Sequence, residues 1–174
     1  SYVAPDWTAD WLHRECDFML NEWSTSQLGQ PYNTAPPEQQ AALRERLKQL
    51  IRSNTYDAGQ DTLTIDDARA KAFESNQKHY ADIFTNGNVG YAIPKAAQSD
   101  PEKLHQLSSF FFWTAWASAA NRPGGTVSYT SNWPHEPLVG NLPTGEAVVW
   151  TGVSIMMLLA SIGAFVWYYA AQPP

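Results

Sequence analysis

The fold is decided by the stretch AVVWTGVSIMMLLASIGAFVWYYAA, residues 147–171, which contains no charged residue. A helix of this length covers about 37 Å, which is more than the roughly 30 Å of a hydrocarbon layer. Trp150 lies near one end and the Trp-Tyr-Tyr run at 167–169 near the other, where aromatic rings settle at the two headgroup levels. A buried core helix of a soluble protein is the alternative, but such helices seldom stay uncharged on every face. Residues 147–171 are therefore predicted to be a transmembrane helix, and residues 172–174 to begin the next loop.

The residues before this helix have the composition of a soluble domain. Residues 1–146 contain all 11 Lys and Arg, all 17 Asp and Glu and all 4 His. The net charge of −6 and the lack of a concentrated basic run argue against nucleic acid or anionic lipid as a partner. Cys16 is the single cysteine, which excludes an internal disulfide bond. We expect residues 1–146 to form one hydrophilic domain on the extracytoplasmic side of the membrane.

Apolar spacing divides this domain into helices and one small hairpin. Each predicted helix has an apolar stripe and a capping residue or a proline in its first turn, and a break follows it. The helices are residues 6–28, a helix that opens at 36–37 with a stripe reaching Ile51, a helix from 66 or 67 to 86, and a helix from 99 or 100 to 120. Turn residues and an alternating Thr-Leu-Thr-Ile run predict a β-hairpin near residues 54–65. The fold class is therefore mainly α.

The last of these helices contains FFFWTAWASAA, residues 110–120, which is apolar on almost every face. A helix of this kind has to be covered on every side, and about eleven residues are too few to span a bilayer. We expect this run to lie at the centre of the domain, or between the domain and the membrane face of its partner.

Catalytic and cofactor-binding motifs are not found in the sequence. There is no Cys-x-x-Cys-His, which excludes covalent attachment of a c-type haem, and there is no phosphate loop, Gly-x-Ser-x-Gly or His-Glu-x-x-His. His13 and Cys16 lie three residues apart on a predicted helix, but two ligands without a third indicate packing rather than a metal site. We expect this segment to have no catalytic residue and to bind no cofactor.

A stiff loop connects the domain to the membrane helix. Residues 122–146, here called the proline loop, include four prolines that each fix a φ angle and remove a backbone donor: Pro123, Pro134, Pro137 and Pro143. Stiffness lowers the entropy lost on docking, so such a loop suits a contact surface. Trp133, His135 and Glu136 are the side chains that this loop is predicted to present. The alternative is a rigid stalk that only joins domain and membrane.

The run FFFWTAWASAANRPGGTVSYTSNWPHEPLVGNLPTGEAVVWTGVSIMMLL, residues 110–159, resembles the single-chain, quinol-dependent nitric oxide reductases, and NTYDAGQDTLT at 54–64 resembles them too. The resemblance implies a domain with a cytochrome c fold that contains no haem. It also implies that residues 147–171 open the catalytic transmembrane bundle, in the inner membrane, with residues 1–146 on the periplasmic side.

The resemblance implies cofactors in the full-length enzyme that this segment does not itself hold. In that family haem b, haem b3 and a non-haem iron reduce two NO to N2O and water with electrons from quinol, and their ligands lie in later membrane helices. The implied partners are therefore the remaining transmembrane bundle, membrane lipid and quinol. Two-subunit relatives also bind a calcium ion, and NVGYAIPK at 88–95 is similar to part of that site. Tyr91 matches the family tyrosine and is a possible calcium ligand, although Val89 and Ile93 depart from the pattern.

The function expected from these points is a haem-free structural cap over the catalytic bundle. Trp133 and His135 would make the contact, and Trp150 would border the quinol pocket. Two other classes stay open, namely a membrane-anchored extracytoplasmic sensor and a domain that only assembles a complex.

Overall fold

The computed structural model describes residues 6–172, which fall into two units that divide between Leu142 and Pro143. The first unit contains four helices and a two-stranded antiparallel hairpin: α1 (Trp7–Leu28), α2 (Pro37–Arg52), β1 (Tyr56–Asp57), β2 (Thr62–Leu63), α3 (Asp67–Asn86) and α4 (Pro101–Ala119). The second unit contains α5 (Gly145–Ala170). The mainly α fold with a small hairpin is thus confirmed. Residues 173–174, predicted to begin the next loop, lie outside the described residues.

The helix boundaries follow from local capping chemistry. Asp6 precedes α1, and its Oδ1 accepts hydrogen bonds from the backbone N–H groups of Thr8 and Ala9 at 2.9 and 3.2 Å. Asp66 and Asp100 cap α3 and α4 in the same way. These carboxylates satisfy donors that the first helical turn leaves unpaired and also interact favourably with the helix dipole. Gly29, at φ 69°, ends α1 in the left-handed conformation that glycine adopts without strain.

Helix α1 is the centre of the first unit, because α2, α3 and α4 all pack against it. Its inner face is completely buried along Trp11, Leu12, Cys16, Met19 and Leu20. Aromatic rings from the other helices close around Trp11. It stacks on Tyr80 of α3 with ring centroids 5.4 Å apart and an interplanar angle of 5°, and it contacts Phe73, Phe111 and Phe112. The interior of the domain is therefore filled by stacked and tilted aromatic side chains.

One ion pair is buried in this apolar interior. Arg69 of α3 donates from Nε to a carboxylate oxygen of Glu15 on α1, and the two side chains are 3% and 0% exposed. The Arg69 guanidinium also lies 5.2 Å from the ring centroid of Phe112. Burial raises the pKa of Glu15, and the positive charge of Arg69 opposes that rise. The pair joins α1 to α3 in a region where neither charge has solvent.

Helix α5 differs from the others because none of its 26 residues is buried. It begins two residues before, and ends one residue before, the predicted range of 147–171. Thr144 caps it by accepting a hydrogen bond from the Ala147 N–H at 3.2 Å, so the helix takes in the last two residues of the proline loop. A core helix would be covered by its own domain, and α5 is not. It is the one candidate membrane helix among the described residues.

The apolar run at 110–120 is only partly covered. Phe111, Ala115 and Trp116 of α4 are buried, but Phe110 and Trp113 are each 56% exposed. The run therefore contributes one face to the interior and leaves two large aromatic side chains open.

Candidate functional site

The proline loop is held against the helices of the first unit by side-chain hydrogen bonds. The backbone N–H of Trp133 donates to Asp6 Oδ2 at 2.8 Å, so the carboxylate that caps α1 also fixes the loop. The guanidinium of Arg52, at the end of α2, donates to the carbonyl oxygens of Gly140 and Thr126 at 3.1 and 2.8 Å. Val139 is completely buried in the core. The loop is thus packed as a part of the domain.

Two asparagines close the turn between them. Asn141 donates from Nδ2 to Asn132 Oδ1 at 2.6 Å and to the Ser118 carbonyl oxygen of α4 at 3.0 Å. Its Oδ1 accepts from the Glu136 N–H at 2.7 Å. All these groups are buried, and each buried polar atom with a partner avoids the cost of an unmade hydrogen bond. The two asparagines therefore fix the conformation of residues 132–141.

Glu136, which the sequence places among the residues presented by the loop, faces the interior instead. Its side chain is 3% exposed. Its Oε2 lies 2.9 Å from Nδ1 of His13 on α1, and its Oε1 accepts from the Leu138 N–H at 3.0 Å. A carboxylate is stable in this position because it has an imidazole and a backbone donor to compensate for lost water. Glu136 is therefore a residue that holds the loop to α1 and not a residue of an outer contact surface.

The other predicted contact residues are open to different degrees. Trp133 is 77% exposed although its backbone is fixed, and His135 is half-buried. Trp150 lies in the second unit, in the second turn of α5, and is 69% exposed. Fixed backbone and open side chain are combined at Trp133, and this makes it the strongest candidate for an external contact.

The structure accounts for the His13 and Cys16 pair as packing. His13 is engaged by Glu136, and Cys16 is completely buried. Burial raises the pKa of the Cys16 thiol well above its usual value, and the negative charges of Glu15 and Glu136 raise it further. The thiol therefore stays protonated, whereas metal ligation requires the thiolate.

Tyr91 lies in a short 3-10 helix, Val89–Tyr91, and its ring meets the edge of Trp7 with centroids 5.4 Å apart. Within residues 6–172 there is no group of three or more His, Cys, Asp or Glu side chains that could hold a metal ion. The packing role of Tyr91 is visible in the structure. Its role as a calcium ligand stays a prediction, and no chemical step is derived from it.

Replacing His13 with alanine should destabilise the first unit by about 1 kcal/mol, because the buried Glu136 carboxylate loses its imidazole partner while His13 itself is mostly exposed. Thermal unfolding of the purified chain, followed by near-UV circular dichroism, measures this loss. His105→Ala is the matched control, because His105 is exposed and bonds only Gln77 on α3. Equal melting temperatures for the two variants would contradict the role given to the contact between His13 and Glu136.

Comparison with protein-family models finds one match, over residues 1–135, to the cytochrome c-like domain of the nitric oxide reductase protein NorB. The chain belongs to this family. The match covers α1 to α4, the hairpin and the first part of the proline loop, and it confirms the family that the motifs indicate. A comparison with curated proteins finds no match.

Membership of the NorB family gives the first unit its fold type, a cytochrome c-like helical domain followed by a candidate membrane helix. The chain is thus part of a nitric oxide reductase of the NorB type, and this family is membrane-associated. Sequence reasoning found the proline loop but not its partners Asp6, His13 and Arg52, which lie on distant helices. The paired asparagines at 132 and 141 are the one local signal that indicates a closed turn.

Proposed function

We propose that this chain is the haem-free structural cap of a quinol-dependent nitric oxide reductase, together with the first helix of its catalytic bundle. The observation that carries the proposal is Trp133, an exposed tryptophan on a loop whose backbone is fixed by Asp6 and by the asparagine pair. Large exposed aromatic side chains on a rigid backbone lose little entropy on docking and are typical of contact centres.

The aromatic interior supports a haem-free domain. Trp11, Tyr80 and Phe111 fill the space between α1, α3 and α4, and their ring centroids are 5.1 to 6.4 Å apart. The described residues lack the paired cysteines that a covalent haem requires, and the single cysteine is buried as a thiol. The domain is therefore stable through packing alone, without a prosthetic group in its core.

The cap acts on the reaction indirectly. In the full-length enzyme, haem b, haem b3 and a non-haem iron supply the redox chemistry, in which two NO, two protons and two electrons from quinol give N2O and water. The residues of this chain would cover the extracytoplasmic face of the bundle and limit the access of water there. Trp133 and His135 would contact the bundle, and α5 would cross the membrane with Trp150 near its outer surface. The partners in this proposal are the remaining bundle, lipid and quinol.

Replacing Trp133 and His135 together with alanine in the full-length reductase should reduce quinol-driven turnover about threefold or more, since one exposed tryptophan anchor contributes about 2 kcal/mol to a docked surface. Haem content and nitric oxide consumption are the measurements. Phe110→Ala is the matched control, because Phe110 is 56% exposed on α4 and lies outside the proline loop. Normal haem content, stability and turnover in the double variant would overturn the cap.

The electron donor is tested separately on the unmodified enzyme. A quinol-dependent reductase is expected to consume nitric oxide with a reduced quinol analogue and not with reduced cytochrome c. Turnover with cytochrome c alone would contradict quinol dependence and would leave the cap contact standing.

A further inference from the structure

A cavity of about 790 Å³ lies between the hairpin, α4 and the proline loop, entirely within the first unit. We call it the aromatic pocket. The residues that define it are Tyr56, Asp61, Leu63, Trp113, Trp116 and Tyr129. Its size is that of a small-molecule site, which is typically about 300 to 1,000 Å³.

Four aromatic rings form the walls of the aromatic pocket. Trp116 is buried and stacks on Tyr129, with centroids 5.4 Å apart and an angle of 29°. Tyr56 meets Trp116 at 6.4 Å and 55°, so its ring stands across the stacked pair. Tyr56 and Trp113 are 44% and 56% exposed, and their rings are open to a ligand. Rings at different angles around one space present several π faces to the same occupant.

The charge of the aromatic pocket is negative. Asp61 is the single charged residue among those that line it, and its Oδ1 accepts a hydrogen bond from the Tyr56 hydroxyl at 2.7 Å. That hydrogen bond raises the pKa of Tyr56, and the nearby charge of Asp61 raises it further. The cation nearest to the rings is Arg122, which is not among the lining residues and has its guanidinium carbon 6.0 Å from the centroid of Tyr129. The occupant therefore meets π faces and one carboxylate.

We propose that the aromatic pocket binds an organic cation of the quaternary ammonium class. The faces of Trp and Tyr rings attract a cation through their quadrupole, and quaternary ammonium groups suit such cages because their charge is spread over methyl groups that need little water. A carboxylate at the edge adds direct attraction. A neutral apolar ligand would instead desolvate Asp61 without compensation. Free choline-type cations and lipid headgroups share this chemistry.

Binding is measured on the full chain in a maltoside detergent, by saturation-transfer NMR on the methyl protons of choline. We expect a signal that the uncharged analogue dimethylbutanol, in which a tert-butyl group replaces the trimethylammonium group, does not reproduce. Phosphocholine, the headgroup form, is run in parallel. If it binds as choline does, the site accepts a lipid headgroup, and if choline alone binds, the site takes the free cation. Equal binding of dimethylbutanol and choline, or no binding of choline and phosphocholine, would overturn the proposal.

Asp61→Asn should raise the dissociation constant for choline about fivefold, and Trp113→Ala should weaken binding to a similar degree or more. Asn is tolerated at position 61, where φ is 53°, so the hairpin is expected to remain folded. Asp57→Asn is the matched control, because it removes the same charge from the same hairpin but does not line the pocket. If Asp57→Asn and Asp61→Asn have the same effect, the charge acts at long range and the site is not a cage.

Discussion

Replacing Arg69 with methionine should lower the free energy of unfolding of the first unit by about 3–5 kcal/mol, because the change leaves the Glu15 carboxylate buried without a counter-charge. Glu15 is completely buried and Arg69 is 2% exposed, so water cannot replace the lost partner. Denaturation of the purified chain in detergent, followed by the near-UV circular dichroism of the packed aromatic side chains, measures the effect.

The matched control for this prediction is Lys71→Met, two residues further along α3. Lys71 pairs with Glu22 of α1, but the two side chains are 59% and 36% exposed, so the loss should be about 1 kcal/mol or less. Combining Arg69→Met with Glu15→Leu should recover most of the stability, since a buried pair replaced by apolar residues of similar volume is often neutral. If Arg69→Met is no worse than Lys71→Met, the burial of the pair does not determine its importance.

The same pair gives a pH dependence with a definite sign. Burial raises the pKa of Glu15, so the folded state binds this proton more tightly than the unfolded state does. A carboxyl group of this kind favours folding at acid pH, and its contribution falls as pH rises through the folded-state pKa. Removing Arg69 removes the charge that opposes the rise. The destabilisation by Arg69→Met should therefore be smaller near about pH 5 than near about pH 8, and an equal loss at both values would contradict this assignment.

The helices of the first unit could be predicted because their apolar residues repeat at helical spacing and their caps are local. Trp11, Cys16 and Met19 form the predicted stripe of α1, and all three are completely buried. Glu15 lies on the same buried face, but nothing near it in the sequence indicates a partner. Arg69 is 54 residues away, and periodicity within one helix does not show which distant charge will meet it.

The orientation of Glu136 could not be predicted for the same reason. A charged residue in a polar loop is usually exposed, and the prediction for Glu136 followed that rule. The deciding contact is with His13, 123 residues earlier in the chain, and it exists only after α1 and the proline loop have packed together. Trp133 shows the opposite case, since a tryptophan next to proline in a stiff loop was expected to be open and is 77% exposed.

The hairpin and the run at 110–120 were located correctly, but the pocket between them was not foreseen. Tyr56, Trp113 and Tyr129 belong to three separate segments, and each alone is a common surface aromatic residue. Packing Leu63 of β2 against the buried Trp116 brings these segments together. A pocket made by tertiary contacts of this kind leaves no periodic signal in the sequence.

Replacing Trp11 with alanine should destabilise the first unit by about 3–5 kcal/mol, since it removes the largest fully buried side chain and leaves a cavity that rigid neighbours cannot fill. The neighbours are rings, among them Tyr80 stacked at 5.4 Å and Phe73 tilted at 5.6 Å, and flat rings locked by packing relax less than aliphatic side chains do. The loss should appear as a fall of about 10 °C in the melting temperature of the purified chain.

Trp113→Ala is the control that separates packing from residue type, because Trp113 is 56% exposed and its loss should change stability by about 0.5 kcal/mol or less. Trp11→Phe keeps a stacking ring and should recover part of the loss. If Trp11→Ala melts at the same temperature as Trp113→Ala, the aromatic interior does not stabilise the domain. A haem-free cytochrome c fold would then need another source of stability, and the packing argument for the cap would fail with it.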